Sequence, residues 1–93
     1  MQNQGPRDIG ERTFGFSAAS VKFCYSLERE SSTHKTLARQ LLRSGTSIGA
    51  NVEEAQAAQS KADFVHKMAI ALKEACETSY WLRLMSETLN VRN

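Results

Sequence analysis

Apolar side chains recur every three or four residues from residue 14 onward, which is the spacing of one face of an α-helix. The first such segment is predicted to run from about Phe14 to Glu28, with Thr13 as its N-cap. A polar break at residues 30–33 then ends the helix, and Ser32 or Thr33 is suited to cap the next one. The apolar positions of the first helix fall into two neighbouring rows, which are Phe14, Ala18, Val21 and Tyr25 in one and Phe16, Phe23 and Leu27 in the other.

The second predicted helix, from about His34 to Gln59, contains Gly45 and Gly49. A glycine inside a helix costs about 1 kcal/mol relative to alanine, so two of them indicate that another helix packs closely against this face. The alternative is a turn at residues 44–46 followed by a short helix. We favour one continuous helix because its apolar row keeps helical spacing across the glycines, through Leu37, Leu41, Ile48, Val52 and Ala55.

The third predicted helix begins after Ser60, because Ser60 and Asp63 have the spacing of a capping box. It is expected to run from Lys61 to about Leu89. Its buried face is expected to contain Phe64, Met68, Ala71, Ala75, Leu82, Met85 and Leu89, widened by Ala69, Leu72, Cys76 and Trp81.

Composition supports an all-α protein. The chain has 93 residues, enough for one domain, and its single proline is Pro6. We predict a disordered leader over residues 1–12 and one helical domain over residues 13–93. The formal net charge is +2 and charges of both signs are interspersed, which is not the composition of a dedicated nucleic-acid binder. With no signal peptide and no apolar run of about 18 residues, the cytoplasm is the expected location and no membrane association is expected.

The sequence contains no recognisable arrangement of catalytic or metal-binding residues. Patterns for a nucleophile, a phosphate loop or a zinc site are all missing. We therefore expect no enzymatic activity, small-molecule substrate, cofactor or metal. Cys24 and Cys76 are far apart and are expected to be reduced, buried thiols. His34 and His66 are expected to be surface or capping residues.

One polar row within the second helix stands out. Arg43, Ser47, Asn51 and Glu54 share a face beside the glycines. Our hypothesis is a buried network in which Arg43 pairs with Glu54 or with carboxylates of the third helix, Glu74 or Glu77, within or between subunits. The alternative is an ordinary solvated face.

The segments RSGTSIGANVEEAQ and KEACETSYWLRL carry a resemblance to a known family. Together they strongly resemble the bacterial four-helix bundle proteins called 23S rRNA intervening sequence proteins, over roughly Phe14 to Met85. The resemblance implies a small antiparallel bundle that assembles into a homopentamer, and no enzymatic activity is associated with the family. A more distant resemblance runs to accessory proteins of diversity-generating retroelements, which are basic pentameric bundles that act with a reverse transcriptase and nucleic acid. The signature falls on residues expected to serve fold and assembly, which are Arg43, Ser44, Ser47, Ile48, Asn51, Glu54, Glu74, Ala75, Glu77, Tyr80, Trp81 and Leu82.

The C-terminal end departs from the family pattern, because only SETLNVRN follows Met85. We therefore expect an antiparallel bundle of the four-helix type whose fourth helix is missing or truncated. Three helices would leave an apolar groove exposed. Either the chain is truncated or a partner subunit fills that groove.

Two functional hypotheses follow. The first is a non-enzymatic protein whose helical protomers assemble into a homo-oligomer, a pentamer according to the resemblance. The second is an accessory protein that binds RNA or DNA, although the low net charge argues against strong binding by a single chain. In that case the symmetry of a ring would gather a basic patch from Arg39, Arg43, Lys61, Lys67 and Lys73.

Overall fold

The computed structural model describes residues 8–89, which form three α-helices and no strand. Helix α1 spans Ile9–Ser26, α2 spans Ser32–Gln56 and α3 spans Lys61–Thr88. This confirms the all-α fold class. Residues 1–7 and 90–93 lie outside the described part, so most of the predicted leader and the last residues of the chain are not covered.

Helix α1 begins earlier than the sequence pattern predicted. Its N-cap is Asp8, whose carboxylate accepts a hydrogen bond of 2.9 Å from the Glu11 backbone N–H. Thr13 is therefore not the cap; it lies inside the helix and donates its hydroxyl to the Ile9 carbonyl. The leader predicted for residues 1–12 was wrong over residues 9–12, which are helical.

Helix α2 is continuous through both glycines, so the alternative of a turn at residues 44–46 was wrong. Its N-cap is Ser31, one residue before the predicted candidates, and the Ser31 hydroxyl accepts from the His34 backbone N–H at 3.3 Å. The His34 ring also hydrogen-bonds the Ser31 hydroxyl at 2.8 Å, so this histidine, predicted to be a surface or capping residue, lies in the first turn beside the cap.

Helix α3 begins where the sequence predicted. The Ser60 hydroxyl accepts a hydrogen bond of 3.0 Å from the Asp63 backbone N–H, which confirms the predicted cap. The helix ends at Thr88, one residue before the predicted end.

Helix α2 lies between the other two. It packs against both α1 and α3, whereas α1 and α3 make no close backbone contact with each other within residues 8–89. Both neighbours are antiparallel to α2. Gly45 lies beside Ser20 of α1 and Gly49 beside Thr13, while Ser44 contacts Thr78 of α3 and Glu54 contacts Lys67. Helices α1 and α3 are therefore parallel to each other. The main core cluster sits at one end of this arrangement and contains Leu27, Ala38, Leu41 and Met85.

The apolar pattern predicted the buried face well only for the central helix. Leu41, Val52 and Ala55 are each 2% exposed, as expected for a helix that is covered on two sides. On α3 the prediction was partly wrong: Ala71 and Met85 are buried, but Phe64, Leu82 and Leu72 are 42%, 41% and 67% exposed. The reason is that α3 has only one helix packed against it, so much of its apolar surface has no partner.

An apolar groove runs between α1 and α3 over the surface of α2. Its volume is about 530 Å³, and Phe16, Ile48 and Leu82 are among its lining residues, one from each helix. The described residues thus form three helices with an open groove. They confirm the exposed groove that was predicted for three helices, and they contain no fourth helix.

Candidate functional site

The two glycines of α2 let α1 approach closely. A Cβ atom on Gly45 would lie 2.9 Å from the Ser20 hydroxyl oxygen and 3.5 Å from a ring carbon of Phe16. A Cβ atom on Gly49 would lie 2.9 Å from the Ser17 hydroxyl oxygen and 3.1 Å from the Thr13 carbonyl oxygen. The close approach predicted from the glycines is therefore made within the chain, at the crossing of α1 and α2.

Arg43 faces α3 and pairs with two carboxylates. Its guanidinium donates to Glu74 at 3.4 Å and forms a second ion pair with Glu77. This confirms the hypothesis that Arg43 has carboxylate partners, and both lie in the same chain. The prediction that this network is buried was wrong, because the Arg43 side chain is 50% exposed and that of Glu77 is 37% exposed.

The other members of the predicted polar row have different partners. Ser47 donates to the Arg43 carbonyl at 2.7 Å and Asn51 donates to the Ser47 carbonyl at 2.9 Å, so both bond their own helix. Glu54 accepts from the Lys67 ammonium at 2.7 Å. The row is therefore a partly solvated face with an ion pair to α3 at each end.

Glu77 connects this face to the aromatic residues of the family signature. Its carboxylate accepts a hydrogen bond of 2.9 Å from the Trp81 indole N–H. Tyr80 packs edge-on against Trp81, with ring centroids 5.1 Å apart. Arg43, Glu77 and Trp81 thus form one chain of contacts, in which the Arg43–Glu77 ion pair joins α2 to α3 and the Trp81 hydrogen bond within α3 holds the Glu77 carboxylate.

A buried hydroxyl pair lies one residue further along both helices and was missed at the sequence level. Thr78 donates to Ser44 at 2.9 Å, and these residues are 3% and 0% exposed. The signal was available, since Thr78 occupies the apolar row of α3 between Ala75 and Leu82. A polar residue at a core position must have a hydrogen-bond partner.

Charge pairing shifts the acid–base behaviour of the polar face. The hydrogen bond from Trp81, followed by the one from Arg43, lowers the pKa of the Glu77 carboxyl. The hydrogen bond to Glu77 raises the pKa of Arg43 and the one to Glu54 raises the pKa of Lys67. All three groups are therefore held in their charged forms.

The Glu77 contacts predict a contribution to stability that depends on pH. A lowered carboxyl pKa stabilises the fold above the ordinary value of about 4.3, and this stabilisation is lost as the pH falls through the lowered value. We expect Glu77→Gln to lower Tm at pH 7 and to leave Tm at pH 2 close to that of the wild type, measured by circular dichroism. The control is Glu87→Gln, at an exposed position on the same helix. Parallel pH profiles for wild type and Glu77→Gln would contradict the assignment.

The candidate nucleic-acid residues do not form one free basic patch. Arg43 and Lys67 are already paired with carboxylates of the same chain. Arg39, Lys61 and Lys73 make no ion pair within residues 8–89. Two of the five predicted contacts are thus neutralised by neighbouring groups.

The two cysteines differ in their surroundings. Cys24 is partly buried and donates to the Ala38 carbonyl at 3.2 Å, and burial raises the pKa of its thiol. Cys76 is exposed, so the prediction that it is buried was wrong. Residues 8–89 contain no cluster of three side chains arranged to hold a metal ion. None of the helices in this part of the chain has both the length and the apolar character needed to cross a membrane.

The described residues form an all-α protein of three helices, with α2 packed between α1 and α3. The sequence matches the 23S rRNA-intervening sequence protein family over residues 8–92. The chain belongs to this family. The predicted membership is therefore confirmed.

One solved structure supports both family and fold. It is the crystal structure of a protein of unknown function from the S23 ribosomal protein family of Bacteroides thetaiotaomicron. The two chains are 43% identical with a TM-score of 0.84, and the match covers 92% of this chain and 79% of the other. None of the curated proteins matches the chain.

Proposed function

We propose that the protein is a non-enzymatic helical protomer whose role is to assemble with further copies of itself. The observation that carries this proposal is the amount of apolar surface left uncovered on α1 and α3. Phe14, Tyr25 and Leu72 are 72%, 74% and 67% exposed. Exposed apolar surface of this extent is typical of proteins that bind a partner.

The open groove supports a bundle of the four-helix type. It is apolar and lies between two parallel helices, so a fourth antiparallel helix would complete a bundle with the geometry seen in such folds. The proposal is that a fourth helical element covers Phe16, Ile48 and Leu82, either from the same polypeptide or from a partner subunit.

Size-exclusion chromatography with light scattering tests the assembly. We expect a mass that is a whole multiple of the 10.4 kDa chain, and five copies if the pentamer implied by the resemblance forms. The measurement should be made from about 1 to 200 μM, since a weak homo-oligomer dissociates on dilution. A monomer at every concentration would refute the proposal.

Binding of RNA or DNA through a basic surface of the oligomer is the second candidate. The observation in its favour is that Arg39, Lys61 and Lys73 make no ion pair within the described residues. Binding of this kind weakens steeply with salt, because it depends on displacing cations from phosphates. A salt titration with structured ribosomal RNA should show that dependence, and no binding even at low salt would remove this candidate.

A further inference from the structure

Helix α1 carries an apolar row on the side away from the groove, whose α1 lining includes Phe16. The row consists of Phe14, Ala18, Val21 and Tyr25, at spacings of four, three and four residues, and we call it the α1 stripe. Phe14, Val21 and Tyr25 are 72%, 49% and 74% exposed. Because the spacing is the same read from either end, two such stripes match each other when their helices run antiparallel.

The two ends of the α1 stripe lie among charges of opposite sign. Phe14 borders a depression between α1 and α2 whose charged lining residues, within residues 8–89, are all carboxylates. They are Asp8, Glu11 and Glu53. Tyr25 borders a second depression between the same helices, where cations outnumber carboxylates. Its charged lining residues are Lys35, Arg39 and Glu28. One continuous surface, which we call the α1–α2 face, is formed by the α1 stripe with Lys35, Arg39 and Glu53.

The charges of α2 share the centre of symmetry of the α1 stripe. Lys35 and Glu53 are 18 residues apart, which is about five helical turns, so they lie on the same side of α2. Their midpoint is Ser44, and the midpoint of the stripe is next to Ser20. Since Gly45 packs against Ser20, the two midpoints lie at the same level of the α1–α2 hairpin.

We infer that the α1–α2 face of one copy packs against the same face of a second copy, about a two-fold axis perpendicular to the helices. The axis lies in the interface at the level of Ser20 and reverses the helix direction, so Phe14 of each copy meets Tyr25 of the other. The same rotation brings Glu53 of each copy to Lys35 of the other. The inference rests on the proposed self-assembly and specifies its surface and its symmetry.

The distribution of charge selects this orientation. An axis along the helices would keep each end of the face at its own end, so the carboxylates around Phe14 would meet the same carboxylates of the second copy. Like charges placed opposite each other across an interface disfavour that arrangement. The perpendicular axis instead places them on the end that carries Lys35 and Arg39. At the centre, Ala18 of each copy then faces Val21 of the other, where the small alanine allows close approach.

The available area suits a dimer. Four aromatic side chains, two from each copy, together expose roughly 600 Å² of apolar surface. Interfaces are slightly more than half apolar, which corresponds to roughly 1,200 Å² in total, the lower limit of stable interfaces. Because both copies use the same surface, the contact is isologous and closes after two copies.

Charge reversal at the ends of the face tests the inference in solution. Lys35 and Glu53 are exposed in the protomer, so the variants should keep the helical circular dichroism spectrum of the wild type. Lys35→Glu and Glu53→Lys each create two like-charge contacts, and each should raise the dimer dissociation constant roughly tenfold in light scattering. The double variant Lys35→Glu/Glu53→Lys restores both pairs and should return the constant to within about threefold of the wild type. The control is Lys73→Glu, at an exposed position of α3 outside the face, which should leave the constant unchanged.

Chemical cross-linking tests the register. In a Cys24→Ser/Cys76→Ser background, Lys35→Cys/Glu53→Cys places each new thiol opposite one of the second copy. A short bismaleimide, which bridges the roughly 8–10 Å between packed helix axes, should give a covalent dimer on a denaturing gel. Each single cysteine variant is a matched control, because identical positions lie roughly 27 Å apart along antiparallel helices and should give no product. A dimer formed equally well by a single variant would contradict the register.

The outcomes separate the inferred contact from the proposed function. If the wild type is monomeric at every concentration, the proposed function itself fails. If the wild type assembles but neither charge reversal weakens it, or if its mass corresponds to an odd number of copies, the two-fold contact is overturned and self-assembly through another surface stands.

Discussion

Gly45→Leu is expected to destabilise the fold by about 3 kcal/mol, through overpacking at the crossing of α1 and α2. Even the first added carbon would lie 2.9 Å from the Ser20 hydroxyl oxygen, and Ser20 is itself 5% exposed. The remaining carbons of the leucine would have to push α1 away from α2. The gain in helix propensity, roughly 0.8 kcal/mol over glycine, is too small to offset this strain.

Thermal unfolding followed by circular dichroism measures the effect. A loss of about 3 kcal/mol lowers Tm by more than 10 °C in a domain of this size. The control is Ala50→Leu, an exposed position in the same helix, which should change stability by less than about 0.5 kcal/mol. Equal Tm values for the two variants would show that Gly45 is not at a tight crossing.

The continuity of α2 could be predicted from the sequence because two signals agreed. The apolar row from Leu41 to Val52 kept its spacing, and the two glycines between them indicated a close neighbour. The neighbour itself could not be identified from the pattern, since it depends on how the α1–α2 connection directs the chain. Ser17 and Ser20 of α1 turned out to face the glycines.

The start of α1 was not predicted because residues 9–12, which include Gly10, were assigned to the disordered leader. In the structure a Cβ atom at Gly10 would lie 3.0 Å from the Gln56 side-chain oxygen, so this glycine also sits against α2. A contact with the far end of α2 is not visible in local sequence. A glycine among polar residues can therefore lie in a loop or at a close contact between helices. Only the tertiary structure distinguishes the two.

The sequence alone could not identify the carboxylate partners of Arg43 either. Three carboxylates were available in the sequence, and the antiparallel hairpin decides among them. Arg43 lies 13 residues before the end of α2 at Gln56, and Glu77 lies 16 residues after the start of α3 at Lys61. Glu54 and Lys67 lie 2 and 6 residues from the same ends, so both pairs share an offset of three or four residues. The length of the connection could have given this register once both helix boundaries were known.

The buried face of α3 was predicted too broadly because periodicity shows which residues are apolar and not how many partners cover them. Phe64 and Leu82 occupy regular apolar positions and are nevertheless 42% and 41% exposed. Leu72 was expected to widen this face and is 67% exposed, whereas the neighbouring Ala71 is buried. Helix α3 thus has more apolar side chains than α2 covers. These uncovered side chains support assembly as the proposed function.

Leu41→Ala is expected to cost about 3 kcal/mol, because it leaves a cavity in the main core cluster. Leu41 is 2% exposed and lies in one cluster with Leu27, Ala38 and Met85, which come from three different parts of the chain. The matched control is Leu82→Ala, the same chemical change at a position that is 41% exposed, and it should cost well under half as much.

The stability of Leu41→Ala at different protein concentrations tests whether folding of the core is coupled to assembly. If folding and assembly are coupled, the measured Tm of Leu41→Ala should rise with concentration, since association stabilises the folded protomer by mass action. Urea unfolding at about 2 and 200 μM would show the coupling as a shift of the midpoint. A midpoint that is independent of concentration, together with a loss below about 1 kcal/mol, would mean that neither the core assignment nor the proposed assembly describes this protein.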